Sequence, residues 1–149
     1  MMFFTGFTRF SSDVQKANNV SGSKEKRALL GKMYKLVDDA EDVLTGINSD
    51  IDDFGRLLDE TWQMKKGTGT SITTNSIDEL YCKGITAGAL GGKLLGAGGG
   101  GFMVFYVQPE KQCAVREAMR DLLYIPFEFE NGGTRVIHYS PEEFELREV

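Results

Sequence analysis

The sequence predicts a domain of helices followed by a strand-loop-strand-helix-strand-strand order, which is compatible with an α+β fold. In the first half, apolar residues recur every three or four positions over two long stretches, as in amphipathic helices. In the second half, a run of glycines separates two short apolar segments, and alternating patterns follow. With 149 residues, 41% of them hydrophobic and 26% charged, the chain fits one globular domain spanning residues 1–149.

The chain begins with a strand signal and continues with helical ones. Phe3 and Phe4, followed by a glycine turn, predict a short strand. This start is abrupt for a domain, so we expect the chain to be cut from a longer protein. Helical periodicity predicts one amphipathic helix over residues 29–47 and a second, roughly antiparallel to it, over residues 51–62. Trp62 falls on the apolar face of the second helix, which favours a role in the core or at a domain interface.

A third helix is predicted by a capping box that starts at Ser76, and Gly88 is placed to end this helix. The patterns then change to those of strands. Residues 93–95 predict a short strand, and residues 102–107 predict a strand that is apolar on both faces. Pro109 suits the first turn of a fourth helix.

The last part of the chain predicts a β-hairpin. Ile125, Phe127 and Phe129 alternate with polar or small positions, as in a strand. An Asn-Gly-Gly turn follows, and residues 136–139 are predicted to form the second strand of the hairpin. His138 lies on the returning strand and has no acidic or nucleophilic partner nearby in sequence. We therefore interpret it as a structural residue.

Charge and composition exclude several classes of function. Lys and Arg total 17 against 22 Asp and Glu, a net charge of -5, and no basic run occurs, which argues against nucleic acid or a membrane as a partner. The apolar segments are far shorter than the ~20 residues of a membrane-spanning helix, and the start lacks a signal-peptide pattern, so we expect a cytoplasmic protein.

Neither the cysteines nor the paired acids suggest a metal site. Cys82 and Cys113 lack zinc-type spacing and are expected to be reduced, buried thiols. The acidic pairs Asp38-Asp39 and Asp52-Asp53 fall opposite the apolar stripes of their helices, which favours solvated helix faces over metal binding.

The most informative stretch is the glycine run of residues 96–101. Its members are Gly96, Ala97, Gly98, Gly99, Gly100 and Gly101. The run joins two strand-like segments of one core, which argues against a flexible linker. A strand follows it instead of a helix, and Leu94 stands where a Walker loop needs Ser or Thr after its Lys, so the dinucleotide and Walker motifs are both excluded. Either the N–H groups of the run form an anion-binding nest, or the run packs against another loop that does.

Four segments of the chain resemble one kinase family. Residues 91–102, Gly-Gly-Lys-Leu-Leu-Gly-Ala-Gly-Gly-Gly-Gly-Phe, resemble the third conserved motif of the GHMP kinases. Three further segments resemble, in the same order, the sugar kinases of the D-glycero-D-manno-heptose 7-phosphate kinase type: Thr5-Gly6-x-Thr8-Arg9, Trp62-x-x-Lys65-Lys66 and Asn75-Ser76-Ile77-Asp78-Glu79-Leu80-Tyr81. The resemblance covers nearly the whole chain.

The resemblance implies a GHMP kinase C-terminal domain with a ferredoxin-like antiparallel sheet packed with several helices. It also implies Mg²⁺-dependent transfer of the γ-phosphoryl group of ATP to a sugar or sugar phosphate, with heptose 7-phosphate favoured. The nucleotide loop and the catalytic base belong to an N-terminal domain that is absent here. We therefore expect no catalytic residue in this chain and no activity of the chain alone.

The resemblance places residues 96–101 at the active-site cleft, so Val at Gly99 or Gly100 is expected to abolish activity while this domain stays folded. Arg9 and Lys65 are candidates for binding the anionic end of a sugar phosphate, and a solvated surface cation is the alternative for each. Weaker candidates are Lys66, Ser71 and Thr73, and Lys93 is interpreted as a residue that flanks the hairpin.

Two other functions stay open. One is a stand-alone ferredoxin-like module that binds a small anion or regulates without catalysis. The other is a pure interaction domain, which we rank last because the apolar positions appear fully used by the core. If the chain is a fragment, surface normally buried between domains is exposed, and we expect that the chain can self-associate through it.

Overall fold

A computed structural model of the chain describes residues 1–6, 24–69, 72–96 and 99–139, except for the side chain of Glu25. Four strands and four α-helices are found in this part of the chain. They are β1 Met2–Phe4, α1 Lys24–Thr45, α2 Asp52–Lys66, α3 Asn75–Thr86, β2 Gly91–Leu95, β3 Phe102–Tyr106, α4 Gln112–Ala118, preceded by a 3-10 turn Pro109–Lys111, and β4 Leu123–Ile125.

The strands form one sheet in the order β2-β3-β1-β4, and every neighbouring pair is antiparallel. The register pairs Gly91 with Tyr106, and Met2 with both Val104 and Ile125. Along the chain, the elements follow as a strand, helices, a two-strand hairpin, a helix and a strand. Together with the strand order in the sheet, this makes a ferredoxin-like fold. The predicted α+β class and ferredoxin-like topology are therefore confirmed.

The core lies on one face of the sheet. β3 alternates between buried Met103 and Phe105 and more exposed neighbours, because successive side chains of a strand point to opposite faces. Trp62 is buried in the same core, and its assignment to the core is confirmed. The large core side chains from strands and helices are Phe3, Trp62, Ile77, Tyr81, Leu94, Met103, Phe105, Val115 and Met119.

Helix α2 lies directly on strand β2, backbone against backbone. A Cβ atom added to Gly91 would lie 1.9 Å from the carbonyl oxygen of Gly55, so the contact requires glycine on the strand. At the start of α2, Asp52 accepts hydrogen bonds from the Tyr106 hydroxyl, at 3.0 Å, and from the Gln108 amide. The prediction of a merely solvated face is therefore wrong for Asp52, which joins α2 to the end of β3.

Two predictions about the helices are wrong in detail. Helix α3 is capped by Thr74, whose hydroxyl accepts the N–H of Ile77 at 3.3 Å, and not by Ser76. The cysteines Cys82 and Cys113 are exposed and not buried. Each lies on a short helix whose inner positions are taken by larger apolar residues, so its small thiol is left on the outer side.

The hairpin predicted after residue 125 is wrong as well. Strand β4 ends at Ile125, and the described residues beyond it, 126–139, contain no strand. Phe129, Ile137 and His138 are exposed there, so the alternating pattern has no core to bury its apolar side. His138 consequently does not lie on a strand.

The apolar residues of α1 are only partly used by the core, contrary to the expectation from sequence. None of the described side chains of α1 is fully buried, and Leu30, Tyr34, Val37 and Leu44 are exposed. The sequence pattern could not separate apolar residues that face α2 from those that face away, because both follow helical spacing.

Candidate functional site

The glycine run forms the turn between β2 and β3, at one end of the sheet. Gly96, Gly99 and Gly101 have positive φ angles of 98°, 73° and 114°, a region that side chains rarely adopt. Ala97 and Gly98 lie outside the described residues. The turn therefore favours glycine for its backbone conformation, and Val at Gly99 is expected to strain the domain as well as to lower activity.

Two other segments hold the run in place. Thr5, at the end of β1, donates its N–H and its hydroxyl to the carbonyl of Gly101, both at 2.9 Å, and its hydroxyl oxygen accepts the Gly101 N–H at 3.2 Å. The Gly99 N–H donates to the carbonyl of Ile72 at 3.1 Å. Thr5, Ile72 and Gly99 are all buried.

These contacts bear on the two interpretations of the run. The N–H groups of Gly99 and Gly101 are occupied by partners within the chain, so these two groups are not donors to an anion. Gly99 is thereby tied to the loop before α3, and Gly101 to the end of β1. Thr5 begins the Thr-Gly-x-Thr-Arg segment that resembles the sugar kinases. Nothing in the sequence indicated that its side chain binds a residue 96 positions away.

Lys65 on α2 and Lys93 on β2 are near enough for their charges to interact. Partial burial lowers the pKa of Lys65, and the nearby charge of Lys93 lowers it further. Lys93 is on β2, three residues before Gly96, which corresponds to roughly 10 Å of strand. Among the described residues, neither ammonium group has an ion-pair partner. Two interacting ammonium groups without a described ion pair favour the binding of an anion, although Glu41 lines the same cleft as Lys93.

Lys66, although next in sequence, has structural partners. Its ammonium group lies 3.5 Å from the Asp78 carboxylate and over the rings of Trp62 and Tyr81, 6.0 and 5.7 Å from their centroids. These contacts tie the end of α2 to α3. We therefore place Lys66 in the scaffold and not in the site.

A partly buried hydrogen bond joins α3 to α2. The Tyr81 hydroxyl donates to the Asp59 carboxylate at 2.5 Å, and the Gln63 amide donates to the same oxygen at 2.8 Å. Burial, together with Asp59, raises the pKa of Tyr81, so its hydroxyl stays protonated. The sequence placed Tyr81 inward but gave no sign of this partner.

The other candidates are placed only in part. The Thr73 side chain is half-buried and its hydroxyl donates weakly to the Thr74 carbonyl at 3.4 Å. Arg9 and Ser71 lie outside the described residues. Within the described ranges, no group of three or more His, Cys, Asp and Glu residues suits a metal ion. No helix of that part of the chain is long and apolar enough to cross a membrane.

Comparison with known proteins identifies relatives of the chain. The D-glycero-alpha-D-manno-heptose 7-phosphate kinase of Campylobacter jejuni is 29% identical over 121 residues, which are 80% of this chain and 35% of that protein. The mevalonate kinase of Thermococcus onnurineus is 39% identical over 128 residues, covering 81% of this chain and 34% of the relative. The chain thus spans about a third of the length of these relatives.

Solved structures show the same fold. A crystal structure of mevalonate kinase superposes with a TM-score of 0.66 at 21% identity, over 80% of this chain and 35% of that one. The mevalonate kinase of Leishmania major in complex with R-mevalonate gives a TM-score of 0.64 at 18% identity, over 80% and 37%. The family model described as "GHMP kinases C terminal" matches residues 38–125, more than half of the chain. The chain therefore belongs to the GHMP kinases and carries their C-terminal domain.

Proposed function

We propose that the chain forms one wall of the active site of an ATP-dependent kinase that phosphorylates a sugar phosphate, with heptose 7-phosphate as the favoured substrate. One observation carries the proposal. Gly99 and Gly101 of the glycine run are held by Ile72 and Thr5, and the strand that leads into the run carries Lys93, whose charge interacts with that of Lys65; the described residues provide no ion pair for either lysine. A backbone turn held at these positions and two interacting cations suit a phosphorylated ligand.

The residues of this wall position the substrate and neutralise its negative charge. Since glycine has no side chain, the run lets a ligand approach the backbone closely, and its fixed position limits movement during the reaction. Lys65 and Lys93 hold the anionic end of the substrate. ATP, when bound with Mg²⁺, supplies the γ-phosphoryl group. Arg9 is a further candidate for the substrate phosphate, on the strength of its place in the Thr-Gly-x-Thr-Arg segment.

The charge of the site favours a phosphorylated sugar over mevalonate. A phosphate monoester carries close to two negative charges at neutral pH, and mevalonate carries a single carboxylate. Two neighbouring ammonium groups match the higher charge better, because each unmatched cation repels the other. The similarity to the Campylobacter jejuni enzyme agrees with this choice, whereas the similarity to several mevalonate kinases favours the other substrate.

The rest of the active site is proposed to lie elsewhere in the same polypeptide. We propose an N-terminal domain that supplies the nucleotide loop and the catalytic base, with residues 1–149 as the C-terminal domain. The covered share of the relatives, about a third, supports this arrangement. On this proposal the isolated chain transfers no phosphoryl group, and the complete enzyme works in the cytoplasm.

The test is the turnover of the polypeptide encoded by the complete reading frame. With ATP and Mg²⁺, we expect kcat/KM to be highest for heptose 7-phosphate, and at least tenfold lower for mevalonate and for the unphosphorylated heptose, as loss of one charged contact implies. The 149-residue chain alone is expected to be inactive. Highest turnover with mevalonate would reject the substrate. If the complete frame lacks a nucleotide-binding domain and the chain binds inorganic phosphate, the stand-alone module is the better explanation.

Replacing Lys65 by Met is expected to separate binding from stability. In the complete enzyme, KM for the phosphorylated substrate should rise roughly tenfold with little change in kcat, because one cation of the pair is lost. In the isolated chain, the free energy of unfolding should rise by at most ~0.5 kcal/mol, since the charge is partly exposed and screened. Both effects are measured by steady-state kinetics and urea unfolding, with Lys83→Met on the exposed side of α3 as the control.

The pH dependence of stability has a defined sign. The lowered pKa of Lys65 means that the folded chain holds fewer protons than the unfolded chain just below the ordinary pKa of lysine. The unfavourable contribution of Lys65 is therefore present at neutral pH and lost as pH rises through the lowered pKa. The difference in free energy of unfolding between Lys65→Met and the parent chain should shrink as pH rises from the lowered pKa to the ordinary pKa of lysine. A difference that grows over this pH range would contradict the lowered pKa of Lys65.

A further inference from the structure

A row of exposed side chains runs along α1. Four of its members are large and apolar, and they are 49% exposed at Leu30, 74% at Tyr34 and 58% at both Val37 and Leu44. Their spacing of three and four residues puts them on one side of the helix, together with one basic and one acidic residue. We call this row the α1 stripe, and its members are Arg27, Leu30, Tyr34, Val37, Glu41 and Leu44.

The α1 stripe borders the side of α1 that contacts α2. The cleft between the two helices is lined by half-buried Met33, Leu36 and Ala40 and also by three members of the stripe, Val37, Glu41 and Leu44. Helix α1 is antiparallel to α2, because Leu29 near its start lies beside Gly67 at the end of α2. Contact with α2 leaves the apolar members of the stripe largely uncovered, since they are 49–74% exposed even where they border the cleft. A heptad-spaced apolar row left exposed on a helix indicates an interaction surface.

The charges of α1 are segregated along its length. The half before Leu36 is rich in basic residues and the half after Val37 in acidic ones: Lys24, Arg27, Lys32 and Lys35 against Asp38, Asp39, Glu41 and Asp42. This order opposes the helix dipole, which favours acids at the start of a helix and bases at its end. This order therefore destabilises the isolated helix α1, and a neighbouring antiparallel helix would offset that destabilisation.

Helix α2 does not provide that compensation. Because α2 is antiparallel to α1, its acidic first turn, with Asp52 and Asp53, lies at the acidic end of α1. Its basic last turn, with Lys65 and Lys66, lies at the basic end. The helical hairpin as a whole is consequently acidic at one end and basic at the other, and a second hairpin turned by 180° matches it in charge.

We propose that the α1 stripe binds the α1 stripe of a second copy of this chain, with the two helices antiparallel. In the antiparallel register centred between residues 35 and 36, Tyr34 packs against Val37 of the second copy. Arg27 lies opposite Leu44 of the second copy, three residues from Glu41, which its long side chain reaches. Two-fold symmetry makes each contact twice. A parallel pairing would place Arg27 against Arg27 and Glu41 against Glu41, so the charges select the antiparallel one.

The surface around the α1 stripe leaves room for this approach. Gly31 lies next to Leu30 on the helix, and apart from the backbone of α1 itself no atom of the described residues lies within 4 Å of the place where its Cβ would be. A glycine at this position lets a second helix come close to the backbone. The contact is made by residues of this chain alone and does not depend on the proposed kinase activity.

Sedimentation equilibrium of the 149-residue chain tests the proposal. We expect a monomer–dimer equilibrium for the parent chain. Arg27→Glu and Glu41→Arg should each raise the dimer dissociation constant at least tenfold, because each places two like-charged contacts in the symmetric dimer. The double variant Arg27→Glu/Glu41→Arg restores both contacts and should return the constant to within about threefold of the parent.

The variants are designed so that failure to fold cannot imitate the result. Arg27→Glu adds an acid near the start of α1, which suits the helix dipole, and circular dichroism reports whether each variant stays folded. Glu60→Arg on the exposed side of α2 makes the same charge change as Glu41→Arg and should leave association unchanged. A monomeric parent chain, single variants that associate like the parent, or a double variant that fails to recover would each overturn the proposal.

Discussion

Replacing Gly91 by Ala is expected to lower the free energy of unfolding by about 3 kcal/mol or more. The new Cβ atom would lie 1.9 Å from the carbonyl oxygen of Gly55 and 2.8 Å from the amide nitrogen of Asp59. Both are backbone atoms of α2 and cannot rotate away as a side chain can. The helix has to move off β2, and this movement separates the packed backbones along the whole contact.

Urea unfolding followed by circular dichroism measures this effect. Gly31→Ala is the matched control, because Gly31 is a helical glycine with open space around its Cβ position. There the same change should raise the free energy of unfolding by ~0.5–1 kcal/mol through helix propensity. Opposite signs for the two substitutions are the expected result. A loss below ~1 kcal/mol for Gly91→Ala would mean that α2 is not in backbone contact with β2.

Most of the fold was predictable, because its helices and strands follow from local patterns of apolar residues, and those apolar residues form the core. The periodic apolar residues of α2 and α3 do face the core, as Trp62 and Ile77 show, and the glycine turn between β2 and β3 is where the sequence put it. The apolar segment after the glycines also became a strand, because Met103 and Phe105 fill the centre of the sheet. Each of these predictions needed information from neighbouring residues only.

The predictions that failed needed information about partners distant in sequence. The pattern around Phe127 and Phe129 is that of a strand, but β1 already pairs with β3 and β4, and the described residues of that segment pair with no strand. A strand without a neighbour has unsatisfied backbone groups, so the pattern alone does not produce one. Likewise, the partners of the glycine run, Thr5 and Ile72, lie far from it in sequence.

Helix α1 shows a different limit of sequence reasoning. Its apolar residues were predicted to face the core, and as a class they do follow helical spacing. In the structure, Met33 and Val37 both line the cleft toward α2, but Met33 is half-buried and Val37 is 58% exposed. Adjacent apolar sides of one helix give a single broad pattern, so periodicity predicts the helix but not how many partners it has.

Replacing Thr5 by Val is expected to lower the free energy of unfolding by about 2 kcal/mol, because it removes a buried hydroxyl without changing the volume of the side chain. The Gly101 N–H would lose its partner, while the Gly101 carbonyl would keep the Thr5 N–H at 2.9 Å. Thr5→Ser keeps the hydroxyl and should cost less than ~1 kcal/mol. Urea unfolding compares the two variants, and faster hydrogen exchange at the Gly101 amide should accompany Val only.

The same pair of variants tests whether the position of the glycine run matters to the proposed kinase. Val at Gly99 is a poor probe for this purpose, since the φ of 73° strains any side chain and mixes misfolding with lost function. Thr5→Val leaves every glycine in place and loosens only its support. In the complete enzyme, kcat should fall roughly 10–100-fold, as small displacements of a positioning surface imply, while Thr5→Ser should stay near the parent. Equal kcat values for the two variants, with the hydrogen-exchange difference present, would show that phosphoryl transfer does not depend on how firmly the run is held.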